Sequence, residues 1–183
     1  MKFKFSDTKI PGLLGGKRSK FENNVGTFER LYCKNEFKNV GFLNEIVQIN
    51  KNFTYRAGTL RGLHFQFPPF AEEKIITCLK GSVYDVALDI RKDSPTFLHW
   101  HGEVLSESNN KCMFIPKGFA HGFLTLEDNC EVLYFHAQFY SKESEGGILY
   151  NDPRINVKWP NKIHYLSDRD KNHPFLEKSF RGI

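Results

Sequence analysis

The sequence contains few cysteines, and they are too far apart to suggest a shared site. The four are Cys33, Cys78, Cys112 and Cys130, and no two of them form a C-x-x-C pair. Zinc ribbons and disulfide frameworks require closely or regularly spaced cysteines, so the sequence favours neither. Free thiols are typical of the reducing cytoplasm, and we therefore expect a cytoplasmic protein.

The sequence also lacks long apolar runs, clustered charge and internal repeats. No stretch approaches the roughly 20 apolar residues of a membrane-spanning helix, and residues 1–16 contain lysines without the apolar core of a signal peptide. The formal net charge is +5, but Lys and Arg are spread along the chain. Nucleic-acid-binding proteins usually present a basic stripe, so we expect neither a nucleic-acid nor a membrane partner. A small polyanion such as a nucleotide is compatible with this charge.

The 183-residue chain is predicted to be one domain, residues 1–183, with an all-β fold. Its 18 phenylalanines suit the interior of a β-sandwich or barrel. Short alternating or apolar runs, separated by turn-forming clusters, recur from residue 45 onward and predict many strands without intervening helices. These runs are Glu45–Asn50, Ile75–Leu79, Ser82–Ile90, Trp100–Leu105, Lys111–Ile115, Gly122–Leu126 and Glu131–Phe139.

The two ends of the chain are predicted to contain little regular structure. We expect a short strand over Lys2–Phe5, then a loop marked by proline and glycine up to residue 20, and one helical turn over Lys34–Phe37. Near the other end, Leu166–Asp170 contains serine and aspartate residues that could cap a short helix.

The stretch Arg61–Gln66, with the sequence R-G-L-H-F-Q, concentrates polar groups on a predicted strand. Alternate residues of a strand share a face, so His64 and Gln66 should face one side while the neighbouring apolar residues pack on the other. Lys74 precedes the next apolar run, which would place Arg61, His64 and Lys74 on or beside neighbouring strands. These groups cannot neutralise each other, so they favour binding of an anion or of a developing negative charge.

Several other polar residues have two interpretations on the residues alone. His64 could be a hydrogen-bonded structural histidine or a base, and His121 could be a buried histidine after a tight turn or a ligand contact. Tyr134 could pack in the core or direct its phenol into a cavity, and strand periodicity does not decide between these. Asp168 and Asp170 cannot be distinguished by spacing from helix-capping aspartates.

A metal site is not expected. The spacing of Pro116, Gly118 and His121 is similar to the second metal motif of cupins, whose companion motif is H-x-H. The corresponding place here is His64–Gln66, where an amide replaces one imidazole. Because fewer protein ligands make a weaker site, we predict that no metal is bound.

Taken together, the motifs resemble those of the dTDP-4-dehydrorhamnose 3,5-epimerase family of cupin-like sugar-nucleotide enzymes, over roughly residues 22–170. The similar segments are Gly58–Gln66, Lys74, Gly81–Arg91, Ser94–Phe97, Ile115–Phe123, Leu133–Tyr134, Tyr140–Ser141, Glu145–Gly146, Trp159–Pro160 and Leu166–Asp170. The resemblance implies a cupin-type jelly-roll β-sandwich or barrel with short peripheral helices. It also implies an enzyme without a cofactor, and a homodimer in which the N-terminal segment completes the partner's site.

The resemblance also implies a role for each matching residue. His64 corresponds to the general base, Asp170 to its orienting carboxylate, Tyr134 to the proton donor on the opposite face of the sugar, and Lys74 to the lysine beside the C4 carbonyl oxygen. The implied substrate-binding residues are Arg61, Gln48, Asn50, His121, Glu145, Tyr140, Arg169, Phe28 and Arg30, with Tyr140 stacking on the nucleotide base. One departure is Val25, at a position where the family usually has an arginine.

The implied activity is that of an isomerase acting on C3 and C5 of a nucleotide-linked 4-keto-6-deoxy sugar in deoxysugar or surface-glycan biosynthesis. The imidazole would remove a proton, the lysine would stabilise the enolate, and the tyrosine would return a proton. Two alternatives stay open: an epimerase acting only at C3 of a dTDP-, GDP- or CDP-linked 4-keto hexose or heptose, and a non-catalytic cupin that binds sugar nucleotides.

Overall fold

Strands dominate the computed structural model of the protein, which describes residues 2–183. In chain order the elements are β1 (Lys4–Asp7), β2 (Leu14–Lys17), β3 (Lys20–Asn23), β4 (Gly26–Glu29), α1 (Lys34–Lys38), β5 (Gln48–Thr54), β6 (Leu60–Gln66), β7 (Lys74–Lys80), β8 (Ser82–Asp89), β9 (Trp100–Ser106), β10 (Lys111–Ile115), β11 (Phe119–Thr125), β12 (Cys130–His136), a 3₁₀ turn (Lys142–Ser144), β13 (Glu145–Gly147) and α2 (Asp168–Lys171). Both predicted helical turns are present. Within residues 2–183 no helix is long and apolar enough to cross a membrane.

Two antiparallel sheets form a sandwich. The first contains six strands in the order β1-β2-β10-β7-β12-β5, and the second contains five in the order β13-β6-β11-β8-β9. Strands β3 and β4 form a separate hairpin. Apolar side chains from both sheets, including Ile76 and Val132 from one and Val83 and Phe123 from the other, meet in a shared core. The prediction of an all-β sandwich is therefore confirmed.

The outer faces of the two sheets carry further apolar clusters, and these account for much of the phenylalanine content. Phe37 of α1, Phe42 and Phe3 pack over Phe114 and Phe135 of the six-stranded sheet. The C-terminal segment covers the other sheet in the same way, with Ile148, Ile155 and Val157 in one cluster with Leu63 and Phe65. Because both faces of the sheets are covered, strands β7 and β11 are buried almost throughout.

The structure corrects several predicted boundaries. Leu14–Lys17, predicted as loop, is strand β2, because pairing with β1 on one side and β10 on the other overrides the weak strand preference of its two glycines. Strand β5 continues to Thr54, and β11 begins at Phe119. Strand β12 ends at His136, so Tyr140 lies in the following segment rather than at the end of that strand.

An extra residue in β6 determines which of its side chains face inward. His121 pairs with His64 and Phe123 pairs with Arg61, so two steps along β11 correspond to three along β6. This bulge lets Arg61 and His64 line the same cavity, although a regular strand would direct them to opposite faces. Gly62 occupies the bulge with φ +118°, and a Cβ there would lie 2.6 Å from the Cα of Gly122. Only glycine fits this conformation and this close approach.

Candidate active site

A cavity of about 300 Å³ lies between the two sheets. Its lining is mostly polar and charged, and comprises Asn50, Lys51, Asn52, Arg61, His64, Glu72, Lys74, His121, Phe123, Tyr134, His136, Glu145 and Arg169. A second cavity of about 350 Å³ adjoins it, sharing Asn50, His64, Glu72, His136 and Glu145 and adding Gln48, Phe65, Gln66 and Tyr140. Arg61 and His64 reach the cavity from β6 and Lys74 from β7. The expectation of neighbouring strands was wrong, since β6 and β7 belong to opposite sheets.

His64 forms a close pair with a carboxylate from a distant part of the chain. Its Nε2 lies 2.6 Å from Oδ1 of Asp170, which is almost completely buried in the first turn of α2. The Ser167 side chain caps this helix by accepting a hydrogen bond from the Asp170 amide. Burial alone would raise the pKa of Asp170, but the hydrogen bond and charge of His64 lower it below its ordinary value. Asp170 is therefore ionised and accepts the His64 ring hydrogen.

Two basic side chains surround this pair. Arg169 Nη2 lies 3.1 Å from His64 Nε2, and its Nη1 donates to Oε1 of Glu145 at 2.8 Å. His173 Nε2 lies 3.4 Å from Asp170 Oδ1. His64, Asp170 and His173 each present a ligand atom within 4.8 Å of the others, so these three residues could hold a metal ion. The Arg169 guanidinium beside them disfavours a further cation.

On the opposite wall, Lys74, Glu72 and His136 form a connected group that we call the cavity triad. Lys74 Nζ donates to Glu72 Oε1 at 2.6 Å, and Glu72 Oε2 lies 2.7 Å from His136 Nδ1. His136 on β12 is directly opposite Lys74 on β7, so sheet register brings the two together. Burial alone would raise the pKa of Glu72, but the Lys74 charge and His136 lower it from 4.5 to about 2.

Tyr134 stands beside the cavity triad and faces inward. It is two residues before His136 on β12, so the two side chains share a face, and their rings are nearly parallel with centroids 5.8 Å apart. Burial raises the pKa of Tyr134 well above its ordinary value, and the Asp85 carboxylate adds to this effect. The phenol is therefore protonated at neutral pH. The structure thus favours the cavity-facing interpretation over pure core packing.

His121 forms a second, fully buried histidine–carboxylate pair. Its Nε2 lies 2.7 Å from Oδ1 of Asp85, and both side chains are buried. Burial lowers the pKa of His121 although Asp85 opposes this effect, so the ring is neutral. His121 contacts the Tyr134 ring edge-on and pairs with His64 in the sheet. His121 therefore lies in the cavity wall between His64 and Tyr134.

The structure brings most of the predicted site residues together. Those lining the two cavities are Arg61, His64, Lys74, His121, Tyr134, Asn50, Glu145, Arg169, Gln48 and Tyr140, with Asp170 directly behind His64. Phe28 and Arg30 are not among the lining residues within the described part of the chain. Phe28 is exposed on the β3–β4 hairpin, and Arg30 pairs with Glu36 near α1. The involvement of these two residues stays a prediction that depends on a second subunit.

Among the site residues that the sequence prediction missed, Glu72 and His173 pair with predicted catalytic residues, and His136 pairs with Glu72. Glu72 and His136 each lie two positions from a predicted catalytic residue, and a strand places such neighbours on the same face. That signal was available for His136, whereas Glu72 precedes β7 in a loop. His173 lies beyond α2, and its position beside Asp170 depends on how the C-terminal segment folds back over Gly147.

The family model described as dTDP-4-dehydrorhamnose 3,5-epimerase matches residues 7–178. The chain belongs to this family. An enzyme of that name from Shigella flexneri is 44% identical over 166 residues, covering 90% of this chain and 91% of the relative. The predicted family and enzyme class, an isomerase that acts as an epimerase, are therefore confirmed.

Solved structures agree with this assignment. The epimerase from Bacillus anthracis, determined with TDP and PPi bound, is 38% identical with a TM-score of 0.92, covering 95% of this chain and 99% of that one. A 3′-monoepimerase from Streptomyces bikiniensis in complex with dTDP-quinovose is 27% identical with a TM-score of 0.85, covering 92% and 85%. The fold is thus the cupin-type jelly roll of the epimerase family, as predicted.

Proposed function

We propose that the protein epimerises C3 and C5 of a dTDP-linked 4-keto-6-deoxy sugar of the dTDP-4-dehydrorhamnose type. The observation that carries this proposal is the His64–Asp170 pair facing Lys74 and Tyr134 across one cavity, in a chain of this family. Such an arrangement offers a base, a group that can stabilise an oxyanion and a proton donor on opposite walls. It uses no cofactor.

The first step is removal of a proton from the carbon next to the ketone. Asp170 accepts the Nε2–H of His64, so the base is the Nδ1 lone pair, which lies 3.5 Å from Arg169 Nη2. The carboxylate also stabilises the imidazolium that forms. Positioned acid–base help of this kind is worth roughly 10²–10⁴-fold in rate.

The enolate that results needs positive charge near O4. Lys74 Nζ supplies it from the six-stranded wall, and Arg61 adds a second cation from β6. Within residues 2–183 Arg61 has no carboxylate at ion-pairing distance and bonds only to the Thr54 hydroxyl, so its charge is available to a ligand. One well-placed donor to an oxyanion is worth on the order of 3 kcal/mol.

Tyr134 then returns a proton from the wall opposite His64, which inverts the configuration at carbon. Its raised pKa keeps the phenol protonated until a stronger base, the enolate carbon, accepts the hydrogen. His64 then releases its proton to solvent and Tyr134 regains one, so that the same base and donor can act in turn at C3 and at C5.

The nucleotide would occupy the adjoining cavity. Gln48 and Tyr140 line it, and the Tyr140 ring is exposed and available for stacking on a base. We further propose a homodimer in which the β3–β4 hairpin carries Phe28, followed by Arg30, to the partner's cavity. A cytoplasmic role in deoxysugar or surface-glycan biosynthesis is the proposed context.

A C3-only epimerase is the second candidate, supported by the similarity to the 3′-monoepimerase fold. Both activities would use the same base and the same lysine. The number of carbons that exchange hydrogen distinguishes them.

Incubation in D₂O with dTDP-, GDP- and CDP-linked 4-keto-6-deoxy sugars tests the proposal. Mass spectrometry should find two solvent deuterons, at C3 and C5, in the dTDP substrate. His64→Ala should reduce this exchange at least 10²-fold with little change in binding. One deuteron would favour the C3 enzyme, none with any sugar would favour a binding protein, and wild-type exchange in His64→Ala would contradict the assigned base.

A further inference from the structure

We propose that Glu72 and His136 are positioning residues that hold the Lys74 ammonium at the cavity wall for the reaction. This inference rests on the proposed function, in which Lys74 stabilises the enolate oxygen. Within residues 2–183 neither Glu72 nor His136 forms a hydrogen bond or ion pair with His64, so we expect both to act through the lysine.

The cavity triad is connected through both oxygens of Glu72. One Glu72 oxygen accepts from Lys74 Nζ, and the other lies within hydrogen-bond distance of His136 Nδ1, so the carboxylate is held at both oxygens. The side chains of Lys74, Glu72 and His136 retain only 7%, 12% and 11% of their exposure. A flexible lysine side chain is thereby restricted to one position before substrate arrives, and the entropy of ordering it is not lost during the reaction.

Two of the three residues of the cavity triad lie on strands, and Glu72 lies two positions before one of them. Lys74 and His136 are a register pair of adjacent central strands, and Tyr134 pairs with Ile76 in the same ladder. From the neighbouring edge strand β5, Asn50 Nδ2 lies 3.4 Å from His136 Nε2. Three strands therefore fix the frame from which Glu72 holds the ammonium.

The protein also contains a similar group outside the cavity, which we call the surface triad: Lys111, Glu103 and His101. Glu103 again contacts a lysine and a histidine through its two carboxylate oxygens. Its members are much more exposed, with side-chain exposures of 43%, 26% and 28%. Because exposed ion pairs are screened by water, the surface triad imposes little order. It supplies a matched control.

The test uses Glu72→Asp, which keeps the charge but shortens the side chain so that it cannot reach both partners. We expect kcat to fall between tenfold and a hundredfold, because small misplacements of a catalytic group have effects of this size. KM should change less than threefold. Glu103→Asp, the same change in the surface triad, should leave both constants unchanged.

A double-mutant comparison tests whether Glu72 and His136 act through Lys74. In a Lys74→Met background, Glu72→Asp should cause no further loss, because its effect passes through the lysine. His136→Phe, which keeps a ring beside Tyr134, should lose about threefold in wild type and nothing in that background. An undiminished loss in the Lys74→Met background, or full kcat in Glu72→Asp, would overturn the proposal.

A measurement that does not need activity separates the positioning of Lys74 from the proposed epimerase function. In ¹⁵N-lysine spectra the Lys74 ammonium should give a proton signal protected from exchange, and Glu72→Asp should remove it while Glu103→Asp does not. If wild-type protein exchanges no deuterium into any sugar but shows this protected signal, the proposed function fails and the held lysine stands. Equal, unprotected signals in all three proteins would overturn the positioning role.

Discussion

The two walls of the cavity acquire their polar groups in different ways. On the five-stranded wall, His64 depends on Asp170, which is 106 residues away and belongs to a short helix outside the sheet. On the six-stranded wall, Lys74, Tyr134 and His136 are neighbours through the register of β7 and β12. The first wall therefore depends on docking of the C-terminal segment, whereas the second depends on the sheet itself.

The largest expected effect comes from breaking the pair on the five-stranded wall. Asp170→Asn should reduce kcat about 10³-fold, because an amide neither fixes the His64 tautomer nor stabilises the imidazolium. Asp168→Asn is the matched control, since its side chain is 96% exposed in the same helical turn. Steady-state kinetics with circular dichroism would check both variants. Retention of a tenth or more of wild-type kcat would show that the distant carboxylate does not orient the base.

Removing the Tyr134 hydroxyl from the six-stranded wall should have a smaller effect, which falls on product formation and not on proton removal. Tyr134→Phe keeps the ring between His121 and His136 but removes the proposed proton donor. We expect epimerised product to form about 10²-fold more slowly, while deuterium exchange at C3 by His64 persists. Tyr55→Phe, at an exposed tyrosine outside the cavity, should change neither rate. If deuterium exchange and product formation fell equally, proton removal and proton return would not be separate tasks of His64 and Tyr134.

The smallest expected effect is on stability in acid. The pKa of Glu72 is lowered in the folded protein from 4.5 to about 2, so its ion pair stabilises the fold above pH 4.5. This contribution, on the order of 3 kcal/mol, should be lost progressively as the pH falls from 4.5 towards 2. Urea unfolding at pH 7 and pH 3 should show a smaller difference for Glu72→Gln than for wild type. A Glu103→Gln control should behave like wild type, and identical pH dependence in all three would contradict the assignment.

Those parts of the fold that short-range pattern decides could be predicted from the sequence. The strands over Ser82–Asp89 and Lys111–Ile115 follow their apolar runs closely, and the family motifs identify the main residues of the cavity. Strand β2 was missed because glycines form a strand there only through pairing with distant partners. Arg61 and His64 point into the same cavity only because of the bulge at Gly62, and strand alternation in the sequence does not reveal that bulge.

The attachment of the C-terminal segment has a further consequence. That segment is joined to the sandwich through the Thr59–Tyr165 bridge, through backbone hydrogen bonds such as that from Ile183 to Ile90, and through a separate apolar cluster, rather than through the shared core between the sheets. Detaching it would leave the shared core between the sheets in place while depriving His64 of the Asp170 carboxylate. Loss of turnover on mild heating or partial proteolysis would then precede melting of the sheets, so turnover reports on a local opening that spectroscopic probes of the strands do not see.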